Sequence, residues 1–254
     1  MFKSAITSTL LGFALGLVAW AAPLQAEESQ VLTLDGIETL KLSGGLTFTV
    51  TCGTENSATI TSADARAFKT ALKADRLSIT RKSFRNLLSF GKSQDQAVQV
   101  HIQLAGDLPQ LDLTTGTSGT AKTCSAVQDL LEVNANTGSR LDLLNSTFGE
   151  LSVKATTGSD VEILETVTAR QLFVKLTTGS QFYGGPKLQA TAARVDVTTG
   201  GDANVCGAAL VTGKATTGGT VRVSNTATVE VDTTITGGEV RRGRWSAWVR
   251  HCDR

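Results

Sequence analysis

The sequence predicts an all-β protein, a right-handed single-stranded parallel β-helix with about 20 residues per coil. Three observations carry that prediction. A Thr-Gly phrase returns at a nearly constant spacing, apolar residues fall in columns two positions apart around it, and the stretches between phrases show no helical period.

The recurring glycines are Gly116, Gly138, Gly158, Gly179, Gly200, Gly218 and Gly237, at intervals of 22, 20, 21, 21, 18 and 19 residues. With each Gly taken as position zero, Val133, Val153, Val174 and Val195 fall at −5, and Ala135, Ala155, Leu176, Val197 and Ala215 at −3. Leu141, Val161, Phe182, Ala203 and Val221 stand at +3, and Leu143, Ile163, Val205 and Val223 at +5. Every apolar column is odd, which is the period of a strand with one buried face. Stacked coils lie about 4.8 Å apart, and parallel crossovers are right-handed almost without exception.

The chain opens on a targeting segment. Lys3 precedes an apolar run from Leu10 to Ala22, closed by Pro23, with Ala26 as a small residue for cleavage. Residues 1–26 are therefore set outside the fold, and the mature chain is left without a transmembrane span. The β-helix domain is expected over 27–240. It begins with the strands of "VLTLDGIETLKLSGGLTFTVTCG" and "SATIT". Residues 66–97 then interrupt as a basic insertion, with eight basic residues against Asp75 and Asp95. Phe68 and Leu72 at i and i+4 suit a short helix there, "LSIT" a strand, and the rest a loop. "AVQVHIQL" resumes the strand pattern, and His101, without an acidic or Cys companion, reads as an ordinary strand residue.

In the coils, offset −1 is Thr in all seven rungs and +1 is always Thr, Ser or Gly. Continued alternation turns both columns inward at a tight corner, with the Gly at zero free to take positive φ. The phrase is thus a corner rather than a catalytic motif. The last rung, "VEVDTTITGGEV", places Asp232 at −5 and should carry a bulge or register shift. The tail 241–254, "RRGRWSAWVRHCDR", sets Arg241, Arg244 and Arg250 around Trp245 and Trp248. It serves either as a cap on the open final coil or as a basic aromatic patch for an anionic partner.

Composition closes several classes. With 41% hydrophobic and 19% charged residues the chain is neither disordered nor a multi-span membrane protein. Without Lys3 the basic and acidic residues balance at 23 each, so a charged partner must meet a local patch, and nucleic acid is not expected. Cys52, Cys124, Cys206 and Cys252, an even number in an exported chain, point to disulfides. Three pairings exist; proximity along the chain favours Cys52–Cys124 and Cys206–Cys252. Two histidines and widely spaced cysteines offer no metal set, and no cofactor is implied.

The entry strands "LKLSGGLTFTVTCG", the segment "LKADRLSITRK", the approach "VQVHIQL…LPQLDLTTGTSG" and the coils after it resemble the head GIN domain of putative auto-transporter adhesins, over about residues 31–240. That resemblance implies a β-helix of the bacterial cell envelope and brings no catalytic residues. Too few residues follow Gly237 for a membrane barrel, so a periplasmic or released protein is expected. The functional expectation is a non-enzymatic exported envelope protein, an adhesin-like scaffold for a surface polymer or protein. The alternative is a carbohydrate-active β-helix enzyme, a polysaccharide lyase or hydrolase, using Asp142, Asp160, Glu162 or Asp202.

Overall fold

The computed structural model describes residues 28–82, 97–234, 236–243 and 252. Two strand ladders run the length of the molecule, built as a β-solenoid of about 6 turns with ~21 residues each. The wide ladder stacks ten strands in the order Thr228–Thr233, Ala208–Ala215, Leu188–Val197, Val167–Thr177, Ser146–Thr156, Gln128–Asn136, Gln110–Thr114, Thr39–Ser43, Arg76–Arg81 and Phe68–Lys73. The narrow ladder stacks eleven, from Glu28–Thr33, Ser57–Ser62, Val98–Leu104 and Thr47–Cys52 through short strands such as Arg140–Leu143 and Asp160–Ile163 to Glu239–Arg242. Coils pair in parallel and in register: Val133 with Val153, Val153 with Val174, Val174 with Val195. The odd columns are buried as expected and form one continuous core from Leu34 to Ala227.

The coil has a third buried strip that the odd-column reading leaves out. Pairing in the wide ladder lapses at Asp129, Gly149, Arg170, Thr191 and Ala209, where the chain bends. Upstream of the bend the parity inverts, so the buried residues stand at even offsets. They are Gln128, Phe148, Ala169, Ala190 and Ala208 at −10, and Ser146, Val167, Leu188 and Cys206 at −12. One residue spent on a corner shifts every later side chain to the opposite face. Gln128, the polar member, is satisfied: its amide accepts from Leu108 N and donates to Leu108 O.

The Thr column at −1 also corrects its expectation. Thr115, Thr137, Thr157, Thr178, Thr199 and Thr217 point outward and adopt φ between 48° and 57°. Together with the following Gly at positive φ they make a two-residue turn of the hairpin kind, closed where Gly201 N and Gly219 N donate to the carbonyls of Thr198 and Thr216. The inward +1 column does behave as expected. The hydroxyls of Thr117, Ser139, Ser159 and Ser180 donate to the carbonyls of Thr114, Asn136, Thr156 and Thr177. Consecutive turns are then tied together, Gly138 N to Thr157 O and Gly158 N to Thr178 O.

A β-branched residue in the left-handed region is strained. The ladder of bonds holds it there, and the strain should be recoverable. Thr157→Asn, which tolerates that region better, is expected to raise stability by about 0.5–1 kcal/mol in chemical denaturation.

The insertion differs from its expectation too. Phe68–Lys73 is a strand, not a helix, paired antiparallel with Arg76–Arg81 across a turn at Ala74 and Asp75. Phe68 is buried, whereas Leu72 is 65% exposed. The physical reason is the open backbone edge of Arg76–Arg81: pairing with it satisfies groups that a helix of one or two turns, marginal in water, would leave exposed. The remainder of the insertion, 83–96, lies outside the described residues, as does the predicted targeting segment. Chain order is not stacking order at this end. Thr39–Ser43 lies between Gln110–Thr114 and Arg76–Arg81, and antiparallel Glu28–Thr33 and Ser57–Ser62 close the narrow ladder.

At the other end the expected irregularity is present. Asp232 pairs with Lys214, one place off the column count from Gly237, so this coil carries one extra residue before its turn. Both disulfides are those favoured by chain proximity: Cys52–Cys124 with Cα atoms 5.4 Å apart, and Cys206–Cys252 at 5.1 Å. The first joins the end of an entry strand to the loop after Ser118–Ala121; the second ties the chain end to the −12 column.

Candidate functional site

Between the bend and the turn, even offsets face out of the wide ladder, and parallel stacking lines up their side chains coil upon coil. In the −4 column Lys41 meets Asp112 at one end, while Asp196, Lys214 and Asp232 alternate in sign at the other. Between them Lys154 and Lys175 stand directly opposite one another. Like charges in register destabilise a sheet, and alternation would be the relaxed arrangement. In the −6 column Ser152, Phe173 and Arg194 are successive partners. Phe173 is half-buried, whereas Lys154, Lys175 and Arg194 are exposed. Ser152, being small, leaves a shallow depression beside the ring, bordered by Lys154, Lys175 and Arg194 and by the carboxylates of Glu150 and Asp196. Among the described residues none of the three cations forms an ion pair. The even-column rule makes these cations legible in the sequence. Phe173 is missed because it sits inside the apolar string Leu172-Phe173-Val174, although its even offset marks it as outward.

The narrow ladder carries the carboxylates that an enzyme would need, and it treats them differently. Arg140 reaches Asp142 Oδ1 at 3.1 Å and Glu162 Oε2 at 2.7 Å, with Asp160 its partner in register. Asp202 lies two coils further on, paired with Arg222. Two of the four candidate carboxylates thus share one guanidinium, Asp202 has its own, and Asp160 lies beside Arg140 without an ion pair to it. Burial pushes the Asp160 carboxyl above its ordinary range, with Glu162 adding to the rise and Arg140 opposing it. Burial likewise raises Asp202, against Arg222 and Arg241. Among the described residues no group of three His, Cys, Asp or Glu is placed to hold a metal ion. His101 faces outward with Nε2 3.1 Å from Thr51 Oγ1.

The raised Asp160 carboxyl has a stability consequence. The folded state binds this proton more tightly than the unfolded chain, so stability falls as pH rises from the ordinary carboxylate range through the raised one. Asp160→Asn removes that ionisation. The variant should melt above the parent at pH 7, and the difference should fade as the pH is lowered towards about 4. A variant that melts lower at pH 7 would show that the charged Asp160 is net stabilising.

Of the tail, Arg241 is seen pairing with Glu239 in the last narrow strand. Arg244, Trp245, Trp248 and Arg250 lie outside the described residues. No helix among the described residues is long and apolar enough to cross a membrane.

Residues 37–227 match the model of the family described as putative auto-transporter adhesin, head GIN domain. Among solved structures, a putative adhesin from Bacteroides fragilis NCTC 9343 is similar over 87% of this chain and 98% of its own, with a TM-score of 0.69 and 13% identity. A putative adhesin from Parabacteroides merdae ATCC 43184 aligns over 86% and 96%, with a TM-score of 0.60 and 12% identity. A putative lipid binding protein from Parabacteroides distasonis ATCC 8503 aligns over 86% and 97%, with a TM-score of 0.57 and 12% identity. At such identities the likeness is one of fold. No curated protein matches the chain.

Proposed function

Because the chain belongs to the head GIN domain family of putative auto-transporter adhesins, we propose that it is an exported, non-enzymatic scaffold of the bacterial cell envelope, binding a surface polymer or protein through the outward columns of its wide ladder. Two disulfides agree with an extracytoplasmic setting. The observation that carries the reading is the contrast between the two faces. On the narrow ladder three of the four carboxylates an enzyme would use, Asp142, Glu162 and Asp202, are held by arginines, in an arrangement that relieves charge. On the wide ladder Lys154, Lys175 and Arg194 stand exposed and outside any ion pair beside the half-buried Phe173 ring, three cations against Glu150 and Asp196, in an arrangement that leaves net positive charge for a partner. Catalysis of glycoside cleavage needs an acid and a base converging on one bond. Asp142 and Glu162 are instead both taken by Arg140, and Asp160 stands in register with it.

The test is incubation of the purified protein with acidic and neutral polysaccharides and with envelope proteins, scoring both retention and newly formed reducing or unsaturated ends. Retention without new ends supports the scaffold. Turnover that disappears in Asp160→Asn overturns it in favour of a carbohydrate-active enzyme.

A further inference from the structure

We propose that Lys154, Lys175, Arg194 and Phe173 form a site for a carboxylated polysaccharide, a uronate-bearing chain lying along the solenoid axis with a sugar face on the Phe173 ring. This rests on the scaffold reading and names the ligand class for one of its faces.

The chemistry follows from the stacking. Parallel register repeats the −4 position once per coil, about 4.8 Å apart, so Lys154 and Lys175 present two ammonium groups side by side along the axis. That step is on the scale of one sugar residue, and a uronate chain carries one carboxylate per residue. Arg194 continues the positive line on the next coil, displaced to the column of Phe173. Asp196, in register with Lys175, lowers the local positive charge but makes no ion pair with it, so the donors of the lysine's ammonium stay available to an outside partner.

The ring supplies the second half of the recognition. Phe173 is an apolar side chain on a face otherwise polar at this point, with Ser152 leaving room on one side. The carbon-bound hydrogens of a pyranose face match such a ring, while its carboxylates reach the flanking cations. A protein partner would need a broader apolar core than one half-buried phenyl group offers. The Lys154–Lys175 pair, only partly offset by Asp196 and Glu150, is what charge complementarity predicts, because a bound polyanion lowers the repulsion that the free protein carries.

The experiment uses the full mature chain and polygalacturonate as the probe, with its methyl-esterified form as the uncharged match. Calorimetry or a surface-binding assay should show binding to the acid form, weakening as salt rises, and little to the ester. Lys154→Glu should cut affinity about tenfold or more. That variant should not melt below the parent, since the new carboxylate would face Lys175 as an opposite charge. Phe173→Ala should lose severalfold. Lys69→Glu, the same charge change on the distant hairpin, should leave affinity within about twofold.

Equal loss from Lys69→Glu would reduce the binding to overall charge and overturn the site. Equal binding of the ester would overturn carboxylate recognition while leaving the scaffold reading standing. Retention of a surface protein with no binding of either polymer would do the same. Failure to retain any envelope polymer or protein would sink both.

Discussion

Gly119→Leu is expected to destabilise the protein by about 3 kcal/mol or more, lowering its melting temperature by roughly 6–12 °C. By its position in the repeat the substitution looks benign. Gly119 occupies the +3 column, where the next coils carry Leu141, Val161 and Phe182, all buried. Filling a gap in an apolar column usually adds stability. Here the gap is already filled from the neighbouring coil, because Phe48 stacks directly on Gly119. A Cβ at Gly119 would stand 2.3 Å from Phe48 O and 2.4 Å from its Cδ1. Phe48 is itself 3% exposed and has nowhere to move. The same exchange of volume recurs further along, where Phe182 is followed by Ala203. Denaturant melts of Gly119→Ala, Phe48→Ala and the double variant should show a coupling between the two sites. A Gly119→Leu protein with the parent's stability would mean that the coil at Gly119 can open without cost.

Removing the Cys52–Cys124 bridge should cost about 4 kcal/mol, roughly 10 °C in melting temperature. The bridge spans 72 residues, and closing a loop of that length restricts the unfolded chain severely. It also holds the region where stacking order departs from chain order. Thr47–Cys52 lies between Val98–Leu104 and Ser118–Ala121, strands that are distant in sequence. Folding there must bring together pieces that no local contact preorganises. The measurement compares the parent with Cys52→Ser/Cys124→Ser, oxidised and reduced. The deficit should be present under oxidising conditions. Under reduction the two proteins should coincide, because both then lack this bridge. A variant as stable as the oxidised parent would assign the parent's stability to the coils alone.

Where the chain repeats itself, its fold is legible. Seven turn glycines fix the coil, and odd columns such as Val153, Val174 and Val195 fix the inward face. The small +1 residues fix the corner. Legibility stops at the bend. Phe148, Ala169 and Ala190 are buried like the valines, yet a one-residue corner inverts their parity and takes them out of the pattern. The outward, positive-φ threonines are hidden for a related reason. Alternation assumes extended backbone, and a two-residue turn breaks it. Phe68 and Leu72 fit a helical spacing and a strand equally in so short a segment; only the open edge of Arg76–Arg81 decides between them.

The candidate site divides along the same line. Charges at even offsets can be assigned outward from the sequence, including Lys154, Lys175 and Arg194. Which of them remain unneutralised depends on register between coils. Lys154 meets Lys175 while Arg140 meets Asp160, and one residue of slippage would change both pairings.

Register has a further consequence, for length. Successive coils match position for position, so the stretch 159–179 is a complete unit of 21 residues whose excision would join Gly158 to Ser180 within the same corner geometry. Both ends of the molecule would keep their terminal strands. The chain can therefore grow or shrink by whole units without redesign of its core, each adding or removing about 4.8 Å of reach. Its extent is thus a countable quantity, and the run of outward positions available to a partner scales with that count.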